Sequence, residues 1–210
     1  MSEPKTKCTN CGREILVVTA QRNAGLCGPC KNDVDHPRVP YVYQQPDPVS
    51  RGELDNMIIS KPADFVIEAL FDPACDKVNF RPDEMTEGDE IVYTVWTFLG
   101  EVCNGGIQQY LGNQSGDWAH RCGPSLRKIG ASHYAEIIEA ALNRFTTKGS
   151  LPRAAWEDEL YAFWKTSQDP HKEFDDRFYS YYFKNKQELE GLLYAYICAN
   201  RDVFAPFGVG

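Results

Sequence analysis

The sequence predicts a mainly α protein: an irregular all-α helical bundle carrying a small N-terminal β-hairpin module held by cysteines. Three observations predict it. From Leu54 onward, apolar residues recur at spacings of three and four, the period of a helix with one buried face. Before that point four cysteines stand as two matched pairs, Cys8-Thr9-Asn10-Cys11 and Cys27-Gly28-Pro29-Cys30. Between the two regions Pro37, Pro40, Pro46 and Pro48 follow one another closely, which forbids helix and favours a stiff, extended connector. The expected divisions are residues 1–34, 35–50 and 51–210, with Tyr41 and Tyr43 placed to pin the connector to the larger domain.

The first division carries chemistry by spacing alone. Each C-x-x-C pair can curl into a knuckle that aims two thiolates at one ion. The fifteen residues between the pairs suffice for a hairpin that joins the knuckles. Cys8, Cys11, Cys27 and Cys30 then form a closed tetrahedral four-thiolate site of the structural zinc kind. So short a segment cannot build its own apolar core, so the expected cofactor, zinc, has to fold it. Gly12 and Gly28 suit tight turns beside the ligands. Ile15-Leu16-Val17-Val18-Thr19 reads as a strand, and Asn23-Ala24-Gly25 as a turn before a return strand. Over about its first thirty residues the chain resembles a zinc ribbon. The second pair also spells the thioredoxin active-site tetrapeptide. That chemistry needs a βαβ domain around the motif, and it leaves the first pair unexplained.

The helices follow in order. Leu54, Met57 and Ile58 begin the first. Phe65, Val66, Ala69 and Leu70 mark a second, which Asp72-Pro73 is expected to stop. Thr86 is placed to N-cap a third, with Glu87, Asp89 and Glu90 in its first turn, where the helix dipole favours acids. Its buried stripe is Ile91, Val95, Phe98 and Val102. A fourth starts near Ser115 and carries Trp118, Cys122, Leu126 and Ile129. Tyr134, Ile137, Ile138, Ala141, Leu142 and Phe145 give the cleanest stripe, the fifth. Trp156, Leu160 and Phe163 mark a sixth. Phe174, Phe178, Tyr181 and Tyr182 mark a seventh, and Leu189, Leu192, Leu193, Tyr196 and Ile197 an eighth. No strand signal follows the hairpin module.

The net charge is −8 over 210 residues, and its placement is more telling than its size. Between Glu53 and Glu101 three basic residues face twelve acidic ones, whereas the flanking regions nearly balance. A field of that sign repels nucleic acid and attracts basic protein surfaces. No apolar run has membrane-spanning length and the N-terminus shows no leader-like apolar stretch, so a cytoplasmic protein with no membrane partner is expected. Cys75, Cys103, Cys122 and Cys198 are scattered singly among apolar residues and read as reduced, mostly buried thiols.

The run from Glu101 to Asp117 is dense in turn-forming and hydrogen-bonding residues. Read mechanically, Asn104-Gly105-Gly106 ends the third helix. Gln109 and Asn113 satisfy the carbonyls freed there, and Ser115 or Asp117 caps the next helix. Read functionally, the break is a pocket with Glu101 as a base. The pattern of Glu101, Asn104-Gly105-Gly106, Gln109-Tyr110, Asn113 and Ser115-Gly116 resembles the signature of the DNA-mimic protein family. The likeness continues through Leu126, Ile129-Gly130-Ala131 and the helix from Ile137 to Phe145, and returns weakly from Asp176 to Phe204. Ile107 and Leu111 stand where aromatic residues are common in that pattern. The cysteine module is not part of the resemblance.

The resemblance implies an α-helical, acidic, non-enzymatic protein that presents carboxylates where DNA would present phosphates. Its partner would be a basic protein surface, the DNA-binding face of a regulator, with no nucleic acid bound by the helical domain and a homodimer left open. Candidate carboxylates are Asp64, Glu68 and Asp72, at intervals of four, with Asp76 beyond the proline. Asp83, Glu84, Glu87, Asp89 and Glu90 follow. The alternatives are a nucleic-acid-binding or regulatory adaptor working through the module's Lys5, Lys7, Arg13, Arg22 and Lys31, and a hydrolase at the Glu101–Asp117 break. His36 lies in the connector, while His120 and His133 fall on helices as surface or capping residues. No nucleophile elbow, phosphate loop or H-E-x-x-H is present, so no enzyme activity is expected.

Overall fold

The computed structural model describes residues 4–10, 12, 14–31, 45–145, 152–165, 171–185 and 188–205. The chain divides into two compact units, Met1–Gln44 and Gln45–Gly210. The connector residues Pro37, Pro40, Tyr41 and Tyr43, together with His36, Cys11 and Arg13, lie outside the described residues.

In the smaller unit, β1 (Lys5–Lys7) pairs antiparallel with β2 (Glu14–Leu16), Lys5 opposite Leu16 and Lys7 opposite Glu14. Cys8 therefore sits in the hairpin's own turn. Gly12 takes the left-handed conformation there (φ +73°), and its N–H donates to the Cys8 carbonyl at 2.9 Å. The expected strand over Ile15–Thr19 is corrected: β2 ends at Leu16 and Val17–Arg22 form a helix, α1. The register explains the switch. Val17 falls opposite Pro4, which has no N–H to extend the ladder, and Val17 N donates instead to the Pro4 carbonyl at 3.0 Å. The turn at Asn23–Gly25 forms, with Ala24 and Gly25 at φ +51° and +86°. No return strand follows it among the described residues; Cys27 lies just before a single helical turn, α2 (Gly28–Lys31), which carries Cys30.

The larger unit is helical throughout the described residues. Ser50 opens α3 (Arg51–Ser60) with a reciprocal capping box. Its amide and hydroxyl donate to Glu53 Oε2 at 2.9 and 2.7 Å, and Glu53 N donates back to the hydroxyl. Asp55 accepts from Arg201 Nη1 at 2.8 Å and from Arg51, which also pairs with Asp202. These partners hold both the Glu53 and Asp55 carboxyls below their ordinary values, through the Ser50 hydrogen bonds and the Arg201 guanidinium respectively. A carboxyl depressed in the folded state contributes stability above its unfolded pKa and loses it as pH falls through the folded one. The amides of α3 are therefore expected to lose hydrogen-exchange protection below about pH 4, ahead of the buried α5, on comparing exchange at pH 6 and pH 3.

The helix α4 (Ala63–Phe80) runs through Pro73, so the expected stop there is corrected. An interior proline costs about 3 kcal/mol. The segment beyond it buries Ala74 and Val78 and brings Lys77 within 2.6 Å of Asp89 on the next helix, which offsets that cost. A 3₁₀ turn, Pro82–Glu84, leads to Thr86, which caps α5 (Glu87–Gly112) in a second capping box with Asp89. The predicted stripe Ile91, Val95, Phe98 and Val102 is buried. A further 3₁₀ turn, Gln114–Trp118, precedes α6 (Ala119–Lys128) and α7 (Ser132–Leu142). Then follow α8 (Glu157–Trp164), α9 (Lys172–Lys184), α10 (Glu188–Ala199) and the short α11 (Arg201–Phe204).

The core forms around α5, which packs against α4, α6, α9, α10 and α11, while α6 packs on α7 and α7 on α9. The predicted stripe of α7 is fully inside: Tyr134, Ile137, Ile138 and Ala141 have no exposed surface. Phe98, Tyr134, Phe178 and Tyr181 meet edge to face across these helices. The architecture is thus mainly α with one two-stranded antiparallel sheet, as expected. No described helix is long and apolar enough to cross a membrane. The four scattered cysteines carry no disulfide, but only Cys122 is buried; Cys75 and Cys198 are half-buried and Cys103 is exposed. His133 is half-buried and stacks on Tyr181, ring centroids 3.9 Å apart, and His171 lies buried among Phe145, Phe163 and Phe174.

Candidate functional site

Three groups of residues bear on function. The first is the cysteine cluster. The sulfurs of Cys8, Cys27 and Cys30 lie within 4.8 Å of one another, Cys8 brought by the hairpin turn, Cys30 by α2 and Cys27 by its place just before that helix. The backbone N–H of Cys27 donates to Cys8 Sγ at 3.2 Å, a contact that suits a sulfur carrying negative charge. Cys8 and Cys27 are 2% and 3% exposed, and they are the buried side chains of this unit among the described residues. Cys11, the fourth predicted ligand, lies outside the described residues. Three soft donors closing on one point, with an amide on one of them, fit a thiolate-bound zinc.

The second group is the break in α5. Gly105 and Gly106 leave helical geometry, Gly106 at φ +80° and ψ −178°, after which the helix resumes to Gly112. Asn104 sits exposed just before it. The expectation that Gln109 and Asn113 satisfy freed carbonyls is corrected. Gln109 Nε2 and Asn113 Nδ2 instead converge on one oxygen of Glu101, at 2.6 and 2.8 Å. The backbone of the break is served from α9. Ile107 N donates to Asp175 Oδ1 at 2.7 Å, and the Tyr179 hydroxyl donates to the Val102 carbonyl.

Ser115 and Asp117 do not cap α6. Ser115 is buried and donates to the Tyr110 carbonyl at 3.1 Å, while Asp117 pairs with Arg153 at 2.9 Å. Tyr110 is buried against Phe98. A Cβ at Gly116 would lie 2.2 Å from the Leu111 carbonyl, so only glycine fits. Glu101, Gly106, Gln109, Tyr110, Asn113, Ser115 and Gly116 thus each have a place in the packing or hydrogen bonding of the break. The nearby groove, lined by Gly105, Gln108, Gln109, Gly112, Asn113 and Trp164, does not include Glu101 in its walls. The sequence gives no sign of this role for Asp175, which reads only as one acid among basic neighbours, or for Tyr179, since their partners lie 68 and 77 residues away.

The third group is the carboxylates. Apart from Asp76 there are eight candidates, and four of them have a cation beside them. Glu84 pairs with Arg81, Glu87 with Lys128, Asp89 with Lys77 and Glu90 with Arg121. Asp76 is buried and paired with Arg81. Asp64, Glu68 and Asp72 line one exposed face of α4, and Asp83 is exposed in the following turn. None of these four pairs with a cation among the described residues.

The fold and these groups define an acidic, all-α domain built on one interrupted central helix. A family model described as DMP19-like protein matches residues 83–200, more than half of the chain, and the chain belongs to that family. DMP19-like proteins are DNA mimics and not a known enzyme family. The matched span takes in the break and the ion-paired acids of α5. It leaves out the cysteine cluster and the α4 row. No curated protein and no solved structure matches the chain.

Proposed function

We propose that this chain is a non-enzymatic interaction protein whose acidic helical unit binds a basic protein surface, acting as a DNA mimic on the DNA-binding face of a regulator. The observation that carries the reading is the row Asp64, Glu68 and Asp72, exposed and without pairing cations among the described residues, while Glu87, Asp89 and Glu90 at the start of α5 are matched. At a rise of about 1.5 Å per residue, carboxylates four apart repeat about every 6 Å. One strand of duplex carries a phosphate about every 3.4 Å, so the row has roughly half that density. It is dense enough to attract a cationic groove and sparse enough for the attraction to be salt-sensitive. We further propose that Cys8, Cys11, Cys27 and Cys30 hold one zinc ion that organises the small unit.

The test is capture of basic protein from source-cell lysate at low and high salt. The triple variant D64N/E68Q/D72N should capture about ten- to a hundredfold less at low salt, from exposed pairs of up to about 1 kcal/mol each. Its circular dichroism should be unchanged, and the wild-type chain should not bind duplex DNA. Equal capture by the variant would remove the α4 row from the reading.

A further inference from the structure

Beside the acidic row lies an apolar groove that the charge reading does not use. It is formed by Val49, Met57, Phe65 and Ala69, from the segment before α3, α3 itself and α4, and has a volume of about 440 Å³. Phe65 remains 46% exposed on its wall. A volume of this size lies in the range of ligand-binding clefts. Its rim is negative. Asp47 and Glu53 line it, and neither has a pairing cation among the described residues. Asp64 and Glu68 immediately precede Phe65 and Ala69 on the same helix. Among the described residues the basic group in the wall is Lys61, which lies over the Phe65 ring at 5.2 Å and covers apolar surface.

We infer that this groove seats an apolar side chain of a basic peptide segment on the partner, with the segment's flanking lysines or arginines on the Asp47, Glu53, Asp64 and Glu68 carboxylates. Charge complementarity selects that occupant. Residues 33–43 of the chain itself carry Asp33, Asp35 and Arg38, a net negative charge that does not complement a negative rim. The inference rests on the proposed binding of a basic partner and adds what a rod of phosphate would lack: an apolar anchor point that selects among basic surfaces.

The test uses the full chain and two labelled twelve-residue probes of equal positive charge, one of lysine and glycine alone, the other with two central glycines replaced by leucines. Fluorescence anisotropy should show the leucine probe binding about tenfold or more tightly, the scale of burying one apolar side chain. Phe65→Ala, which opens the wall of the groove, and Ala69→Trp, which fills it, should each erase that advantage while leaving the lysine–glycine probe unchanged. D64N/E68Q/D72N should weaken both probes alike. Equal affinity of the two probes, or an advantage that survives both groove variants, overturns the inference and leaves the charge reading standing. Failure of both probes to bind overturns both. A tenfold gain for the leucine probe when residues 33–43 are replaced by Gly-Ser would make the connector the occupant and overturn it as well.

Discussion

Cys8→Ser is expected to release one zinc ion per chain and to unfold the Met1–Gln44 unit while the helical unit stays folded. The argument is one of missing alternatives. The hairpin has three residues per strand, and an isolated two-stranded hairpin is marginal at best in water. The helices α1 and α2 span six and four residues, too short to stand alone. Among the described residues of this unit, Cys8 and Cys27 are the buried side chains, so no apolar core stands in for the metal. Zinc bound by small finger domains contributes about 10–16 kcal/mol at pH 7, and such units are unfolded without it. Losing one thiolate of four, the one that also takes the Cys27 amide, should forfeit most of that.

Native mass spectrometry should find one zinc in the wild-type chain and none in the variant. Limited proteolysis should cut the variant between Lys5 and Lys31, with the far-UV helical signal nearly intact. A chelator should produce the same pattern in the wild-type chain. A metal-free wild-type chain that resists cleavage there would defeat the zinc assignment.

What the sequence revealed was whatever depends on neighbours a few residues apart. The cap at Thr86 and the stripe from Tyr134 to Leu142 depend on neighbours three and four residues away, so both were readable. The convergence of Cys8, Cys27 and Cys30 was readable because C-x-x-C fixes each half of the site locally. The switch from β2 to α1 at Val17 was not. It follows from pairing opposite Pro4, and β-branched Val17, Val18 and Thr19 favour the strand on propensity alone.

The acids show the same limit more sharply. Counting charge between Glu53 and Glu101 gave a large negative excess, yet several of the cations that meet it come from elsewhere in the chain. Arg121 reaches Glu90 across 31 residues and Lys128 reaches Glu87 across 41. Segment charge is a property of the sequence, but field is a property of the fold. Among the described residues the α4 row keeps the sign that the count implied. The break was legible as a break, because consecutive glycines advertise it. That it is buttressed by Asp175 rather than by its own amides was not.

Gly106→Ala is expected to lower stability by about 3 kcal/mol or more, a fall in Tm of roughly 6–12 °C for a chain of this size. Two costs add. At φ +80° and ψ −178° the backbone occupies a region that is essentially reserved for glycine. A Cβ there would also lie 2.5 Å from Asp175 Oδ2, the carboxylate that receives the Ile107 N–H. Relief of the second cost means pushing Asp175 away, which strands a buried amide at about 1–3 kcal/mol.

The two residues are therefore coupled, and thermal melts of a double-mutant cycle can show it. Asp175→Ala alone should cost about 1–3 kcal/mol through the same stranded amide. The double variant G106A/D175A should cost less than the sum of the singles, because the clash disappears with the carboxylate. Strict additivity, or a Gly106→Ala variant as stable as the wild-type chain, would mean that the α5 break and α9 are independent. Gly105→Ala is the contrast. Its φ is −155° and its added Cβ would meet the movable end of Gln109, so it should cost less than Gly106→Ala. Its effect should fall on the Glu101–Gln109 hydrogen bond, leaving the seating of α9 intact.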